Sequence, residues 1–205
     1  VLGLMLGFNR GLFTAHACQM RGELWPSTGM HTIRLLAGTH AVIVGFGHIG
    51  QHIGRMLKPF GVRVTGVCRN APGRLPEWFG NGDAVVTAER MDGALRRADH
   101  VIAVLPSDTG TDNMFDARRL ALMPREAVFY NVGGGNCVDE KALAAALRKG
   151  RLRGACLDVF AREPLDRKSP LAADLPGLIR LPHSSAFTDD YIDRFLDEAV
   201  AWLKK

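Results

Sequence analysis

A chain of 205 residues with 47% hydrophobic and 23% charged residues has the composition of a globular domain with a sizeable core. Its formal net charge of +5 comes from lysines and arginines spread among acids, which does not favour nucleic-acid binding. Apolar runs fall far short of the roughly 18 residues that a membrane span needs. The four cysteines show neither C-x-x-C pairs nor metal-ligand spacing. We therefore expect a cytoplasmic domain with reduced thiols, no metal and no membrane contact.

The first segment predicts an amphipathic helix. Apolar residues recur from Val1 to about Met20, and Gly22, Trp25 and Pro26 then end the pattern. A helix this apolar needs a partner, either its own domain or a second copy of the chain. Because the chain starts at Val1 inside this pattern, we expect it to be a fragment of a longer protein.

A glycine-rich turn is the strongest local signal. Residues 41–44 are an apolar, β-branched run typical of a strand buried on both faces. Gly45, Gly47 and Gly50 follow with the G-x-G-x-x-G spacing and open a helix predicted over 49–60. The amides of His48 and Ile49 then lie at a helix N-terminus and favour an anion such as a diphosphate. The alternative is a glycine-rich turn that holds no ligand.

Further strands and helices alternate along the rest of the chain. Asp112 or Asp116 is a candidate cap for a helix that reaches residue 123, Asp139 caps one over 140–149, and Thr188 begins the last. The predicted strands cover 62–67, 84–86, 101–105, 127–132, 154–159 and 178–181, with a further helix over 91–98. This alternation predicts an α/β fold with a doubly wound parallel sheet of the Rossmann type. We assign the whole chain, 1–205, to one dinucleotide-binding domain, with a core over about 38–183 and flanking helices over 1–22 and 188–204.

The residues after the second strand bear on the choice of dinucleotide. An NAD site usually places a carboxylate there, on the ribose hydroxyl, but this chain has Cys68, Arg69 and Asn70. Arg69 suits a 2′-phosphate. We therefore expect NADP(H) in preference to NAD(H); the alternative is that Arg69 is an ordinary solvated loop arginine.

An ordered set of motifs covers nearly the whole chain. It comprises GFGHIG, Leu105-Pro106 with Thr111 downstream, Asn131 leading into Val138-Asp139-Glu140, Leu157 to Phe160 with Glu163-Pro164-Leu165, and Pro182-His183. With this set the chain resembles the cofactor-binding domain of the D-isomer-specific 2-hydroxyacid dehydrogenases, which include phosphoglycerate dehydrogenases and glyoxylate and hydroxypyruvate reductases. The resemblance implies a two-domain protein whose smaller substrate domain is missing here, a two-fold homodimer, and hydride transfer between nicotinamide and a 2-oxo or 2-hydroxy acid.

The resemblance also implies roles for individual residues. His183 matches the general acid, Glu163 its partner carboxylate, and Asp158 the anchor of the nicotinamide carboxamide. Each has an alternative, respectively a structural histidine, an ordinary loop acid and a buried acid that caps the following loop. The implied cofactor-binding set is completed by His183 itself and by Leu105, Pro106, Thr111, Val132 and Gly133.

The chain departs from the family pattern at one position. Where the resemblance implies an arginine that binds the substrate carboxylate, this chain has Gly134. Arg162 is the nearby candidate for a substitute. We therefore expect a dinucleotide-binding oxidoreductase that reduces 2-oxo acids poorly. The alternative is a dinucleotide-sensing interaction module, similar to the corepressors that the same family includes.

Overall fold

Seven parallel strands form one sheet in the computed structural model, which describes residues 1–25, 33–70 and 74–203. The strand order is β3-β2-β1-β4-β5-β6-β7. The strands are β1 (His40–Val44), β2 (Arg63–Cys68), β3 (Ala84–Thr87), β4 (His100–Ala103), β5 (Val128–Asn131), β6 (Gly154–Leu157) and β7 (Leu178–Arg180). The predicted doubly wound parallel sheet is confirmed.

Helices cover both faces of this sheet. The α-helices are α1 (Leu2–Asn9), α2 (Leu12–Met20), α3 (His48–Leu57), α4 (Met91–Leu95), α5 (Ala117–Leu122), α6 (Glu140–Arg148) and α7 (Tyr191–Leu203). Residues of α4, α5 and α6 share one apolar cluster, and residues of α1 and α3 share another. The sheet therefore lies between two layers of helices.

Strand β1 shows why the sequence forms a central strand. All five of its residues are buried. Val42 and Val44 belong to the cluster with α4 to α6, whereas Ala41 and Ile43 belong to the cluster with α1 and α3. Successive side chains of a strand point to opposite faces, so a continuous apolar run is needed where both faces are covered.

The predicted helix over 1–22 is wrong as a single element. It is broken between α1 and α2, where Gly11 has φ +68 and caps the start of α2. This left-handed conformation is one that glycine adopts readily and that an α-helix does not contain. Met5 and Phe8 of α1 are buried in the chain's own core, so α1 is largely covered without a second subunit. Pro26 lies outside the described residues.

The other helix boundaries move by a few residues. The last helix begins at Tyr191 rather than Thr188, whose hydroxyl donates to Asp190 in the preceding turn. Its predicted end at residue 204 lies outside the described part of the chain. Of the two candidate caps, Asp116 accepts the amide of Arg119 at the start of α5. The predicted cap at Asp139 is confirmed.

The strand register brings the loops of interest to one edge. Val44, Ala103, Asn131, Leu157 and Arg180 are aligned across five neighbouring strands. The segments that follow these residues therefore leave the sheet side by side. The order in which strands are added to the sheet reverses at β1, because β2 lies on one side of β1 and β4 lies on the other. Open α/β sheets bind ligands at such a switch point, beyond the carboxyl ends of the strands.

Within the described residues, no helix has both the length and the apolar character that crossing a membrane requires. No cluster of three or more histidine, cysteine or acidic side chains in that same part of the chain has the geometry of a metal site. All four cysteines are free thiols, and three of them, Cys18, Cys137 and Cys156, are buried.

Candidate functional site

The three glycines after β1 have different reasons to be glycine. A Cβ at Gly45, where φ is +98, would lie 2.1 Å from the Val104 carbonyl oxygen. A Cβ at Gly50 would lie 2.3 Å from the carbonyl oxygen of Gly45. At Gly47 a Cβ would meet nothing within 4 Å. The fold therefore requires the first and third glycines, whereas the second faces open space where a ligand's phosphates could approach the main chain.

The N-terminus of α3 presents unsatisfied amides to this space. The first amides of an α-helix have no acceptor within the helix, and the N-cap residue Gly47 has no side chain to supply one. His48 and Ile49 are exposed. The helix dipole adds a partial positive charge at this end. The loop and helix start therefore fit a doubly negative diphosphate, as the glycine spacing predicts.

The residue between the first two glycines holds the loop in place. Phe46 is buried, and its ring packs near Trp78 and Phe79 with centroids 6.2 Å and 5.8 Å away. A Cβ at Gly66 of β2 would lie 2.3 Å from the Phe46 ring, so a glycine is needed there. The sequence does not reveal this contact, because nothing local links residue 46 to residue 66.

A cleft of about 890 Å³ opens along the glycine loop at the switch point. It is lined by eleven of the residues predicted to bind cofactor, namely Gly45, Gly47, His48, Ile49, Gly50, Cys68, Arg69, Asn70, Leu105, Pro106 and Thr111. The cleft wall also contains Ala88, Met91 and Met114, to which the sequence does not point. These residues carry no motif, and only the strand order brings them to the cleft.

Thr111 also holds the cleft wall together. It is 5% exposed, and its hydroxyl, which has one hydrogen to donate, lies 2.8 Å from the carbonyl oxygens of both Pro106 and Asp108. The segment between them is thereby folded into a tight turn beside the cleft. Thr111 therefore shapes this wall as well as lining it.

The end of β2 carries a cation and no carboxylate. Arg69 is exposed and forms no ion pair with any described residue. The Cys68 thiol donates to the carbonyl oxygen of Asn70, 2.8 Å away, and burial raises its pKa. The thiol is therefore neutral at physiological pH, and the charge beside this part of the cleft is that of Arg69.

His183 and Glu163 form a hydrogen-bonded pair. The Nδ1 atom of His183 lies 2.7 Å from Oε2 of Glu163, and Oε1 of Glu163 accepts the amide of Phe160 at 2.9 Å. The bond to Glu163 and its charge raise the pKa of His183. Burial raises the pKa of Glu163, but the bonds from His183 and Phe160 outweigh it and lower that pKa. The pair favours an imidazolium beside a carboxylate, with Nε2 left for another partner.

Asp158 fixes the backbone on which His183 lies. Its two carboxylate oxygens accept the amides of Ser184 and Ser185 at 2.8 Å and 2.9 Å. Burial raises the pKa of Asp158, but these amides outweigh it, so the pKa stays below its ordinary value. His183 has φ +53, a left-handed conformation that is strained for a residue with a side chain. Asp158 therefore caps the loop that contains Ser184 and Ser185, and not the loop that directly follows it in the chain, which was the alternative role for this acid.

The loop after β5 contains three glycines at close approaches. Val132 and Gly133 do not line the large cleft; a Cβ at Gly133 would lie 2.5 Å from the main chain of Leu105. Asn131 is buried and shapes the turn, since its side chain accepts the amide of Gly133 and donates to the carbonyl of Gly134. Gly134 is buried. The position expected to hold an arginine therefore has no side chain at all.

Arg162 does not replace that arginine in this structure. Its guanidinium lies 3.6 Å from the Asp166 carboxylate, and its side chain is 83% exposed. A separate cavity of about 670 Å³ is lined by Glu163, His183 and apolar neighbours that include Phe160 and Leu181. Arg162 is not among its lining residues.

Comparison with known proteins agrees with this architecture. The family model described as "D-isomer specific 2-hydroxyacid dehydrogenase, NAD binding domain" matches residues 2–185. The chain is 34% identical over 189 residues to the D-3-phosphoglycerate dehydrogenase of Methanocaldococcus jannaschii, covering 92% of this chain and 34% of that protein. It is 38% identical over 148 residues to a glyoxylate/hydroxypyruvate reductase B of Escherichia fergusonii, covering 72% of this chain and 44% of that protein. The chain thus spans less than half the length of these relatives.

Solved structures show the same similarity. A D-isomer specific 2-hydroxyacid dehydrogenase family protein from Aeromonas salmonicida superposes with a TM-score of 0.82 at 36% identity, over 99% of this chain and 63% of that one. An NADPH-dependent glyoxylate/hydroxypyruvate reductase from Sinorhizobium meliloti, solved with NADP and sulfate, gives 0.82 at 28% identity over the same shares. The chain belongs to the D-isomer specific 2-hydroxyacid dehydrogenase family and corresponds to its NAD-binding domain.

Proposed function

We propose that this chain binds NADP(H) in preference to NAD(H) along the cleft at the switch point. The amides of His48 and Ile49 would hold the diphosphate, and Arg69 the 2′-phosphate of the adenosine ribose. The open space at Gly47 carries the proposal, because the fold itself needs no glycine there. The NADP complex of the Sinorhizobium meliloti reductase supports the choice of cofactor.

The reaction end of the site supplies a proton donor. A nicotinamide cofactor, when bound, would supply or accept the hydride. His183 then holds a proton on Nε2 for the oxygen that becomes an alkoxide, while Glu163 fixes the tautomer through Nδ1. The contact of Asp158 with the amides of Ser184 and Ser185 holds the imidazole's backbone in place. We propose that the complete protein is an oxidoreductase of 2-oxo and 2-hydroxy acids.

We further propose that this activity is weak, because Gly134 provides no group for the substrate carboxylate. Loss of one preorganised donor costs about 10² to 10³ in rate. The same feature favours a second candidate function, a dinucleotide-sensing module that binds the cofactor and acts through partners. Cofactor binding with turnover near background, both before and after repair of the loop around Gly134, would favour the sensor.

The cofactor proposal is tested by titrating the complete protein with NADPH and with NADH. We expect NADPH to bind at least tenfold more tightly, and Arg69→Ala to remove most of that difference while changing NADH affinity little. Arg10→Ala is a matched control, since it removes an exposed charge at the end of α1. Tighter binding of NADH by the unaltered protein would overturn the proposal.

We also propose a cytoplasmic homodimer as the working form. Exposed apolar side chains remain on α2, at Leu12 and Met20, and on α7, at Ile192 and Phe195. Sedimentation of the complete protein tests this state; a monomer at micromolar concentration would contradict it.

A further inference from the structure

The surroundings of Gly134, and not its own backbone, exclude a side chain from this position. Its φ of −92° and ψ of 132° belong to the extended region that any residue adopts. A Cβ built there would lie 2.9 Å from the Cα and amide nitrogen of Ser107 and 2.7 Å from Oδ1 of Asn136. These distances are too short for carbon in contact, so the neighbours would have to move.

The Asn136 side chain holds the segment that blocks this space. Its Oδ1 atom accepts the Ser107 hydroxyl at 2.9 Å. Its Nδ2 atom donates to the carbonyl oxygen of Asp108 at 2.9 Å and to the Asp112 carboxylate at 2.6 Å, with the Thr111 hydroxyl 3.3 Å away. One amide side chain thus binds four groups on a single loop, which follows a different strand.

Among the described residues, backbone bonds join this loop to the loop after β5 near its two ends. The amide of Gly134 donates to the carbonyl of Leu105 at 2.7 Å, and the amide of Asn113 donates to the carbonyl of Asn136 at 2.9 Å. Between these points, the Asn136 side chain links the loop after β4 to the loop after β5. Removal of that side chain would take away its Oδ1 contact and its bonds between the two loops, so that the turn that Thr111 holds around Ser107 could shift away from Gly134 as a unit.

We propose that Gly134 and Asn136 act as a coupled pair that determines whether this site accepts an anion-binding side chain. This inference builds on the proposed function, since it concerns the carboxylate of the same substrate. Asn136 positions Ser107 against Gly134, so an arginine at 134 fits only after Asn136 is replaced by a smaller residue. Asn136 is therefore a second determinant of substrate recognition. Gly134→Arg alone does not restore recognition of the substrate carboxylate.

The test uses four forms of the complete protein: unaltered, Gly134→Arg, Asn136→Ala and the double variant. Melting temperature is measured first, because it requires no ligand. We expect Gly134→Arg to lower it and the added Asn136→Ala to recover at least half of that loss. Asn81→Ala, which removes an exposed asparagine elsewhere, is the control and should recover nothing when combined with Gly134→Arg.

Oxalate, a dicarboxylate probe, is then titrated in the presence of NADPH. We expect the Kd for oxalate to change less than about threefold in either single variant and to fall about tenfold or more in the double variant, as a new charge-assisted contact predicts. The inference is overturned if Gly134→Arg alone matches the double variant, or if the double variant fails to recover melting temperature or to tighten oxalate binding. Failure of NADPH to bind any form would instead contradict the proposed function, and the melting temperatures would still test the pair.

Discussion

Around β1 the carboxyl edge of the sheet is shaped by main chain, whereas around β6 and β7 it is shaped by side chains. The first region offers the helix amides after Gly47, beside glycines that the fold itself requires. The second depends on a carboxylate and an imidazole, Glu163 and His183, which touch through single atoms 2.7 Å apart. A site made of main chain resists substitution, because most changes leave the amides in place. A site made of side chains can lose a functional group through one substitution while the fold around it persists.

The largest expected effect falls on the side-chain region. His183→Gln removes the proposed proton donor but leaves the cleft along the glycine loop untouched, because His183 does not line it. We expect turnover with glyoxylate to fall by about 10² to 10⁴ from its starting value, and the Kd for NADPH to change less than twofold. His16→Gln, on the exposed surface of α2, is the control. Equal turnover in the His183 variant and the unaltered protein would remove His183 from the mechanism.

A substitution in the glycine loop after β1 should instead change the stability of the protein. Gly45→Ala places a Cβ against the Val104 carbonyl and imposes φ +98 on a residue with a side chain. Overpacking and backbone strain together cost roughly 3 kcal/mol, which lowers Tm by roughly 6 to 12 °C. Calorimetry measures this change.

Gly93→Ala is the matched control for Gly45→Ala. It lies in α4 with nothing within 4 Å of the new Cβ, and we expect it to raise stability by about 0.5 to 1 kcal/mol. A Tm for Gly45→Ala within 2 °C of the unaltered protein would mean that the loop adjusts freely.

Gly47→Ala tests whether the ligand or the fold requires a glycine at position 47. Its Cβ would enter open space, so we expect an unchanged Tm. The same methyl group would lie where the proposed diphosphate approaches the main chain, so we expect the Kd for NADPH to rise about tenfold, or about 1.4 kcal/mol. Fluorescence titration measures the affinity. A loss of Tm without loss of affinity would reverse the roles assigned to Gly45 and Gly47.

The same contrast explains what the sequence could predict. Gly45, Gly47 and Gly50 lie within six positions, and their constraints are local, so their spacing alone indicates a strand, a turn and a helix N-terminus. The doubly wound parallel sheet also followed from the alternating elements, whereas the order of its strands came only from the structure. The Asn136 contacts join loops 24 to 29 positions apart, and no pattern marks them.

The break between α1 and α2 escaped prediction for a related reason. Apolar residues continue on both sides of the Asn9-Arg10-Gly11 segment, so the apolar pattern resumes after the point where the backbone leaves the helix. In the loops after β6 and β7, the resemblance indicated Glu163, His183 and Asp158. Only the structure shows which of their atoms form hydrogen bonds.

The smallest expected effect is a shift of the pH profile. Reduction needs His183 protonated, and Glu163 raises the pKa of that imidazole, so the rate should persist above the ordinary histidine pKa and fall as pH rises through the raised value. Glu163→Gln removes the charge, which lets the pKa of His183 return towards 6.5 and moves the alkaline limb to lower pH. A full kcat/KM profile of both forms measures this shift, and Glu77→Gln, which alters an exposed acid paired with Arg74, should leave it in place. An alkaline limb that stays fixed in Glu163→Gln would show that the 2.7 Å contact orients His183 without tuning its proton affinity. In that case Glu163 would position the acid His183 without raising its pKa, just as the main chain after Gly47 positions the helix amides.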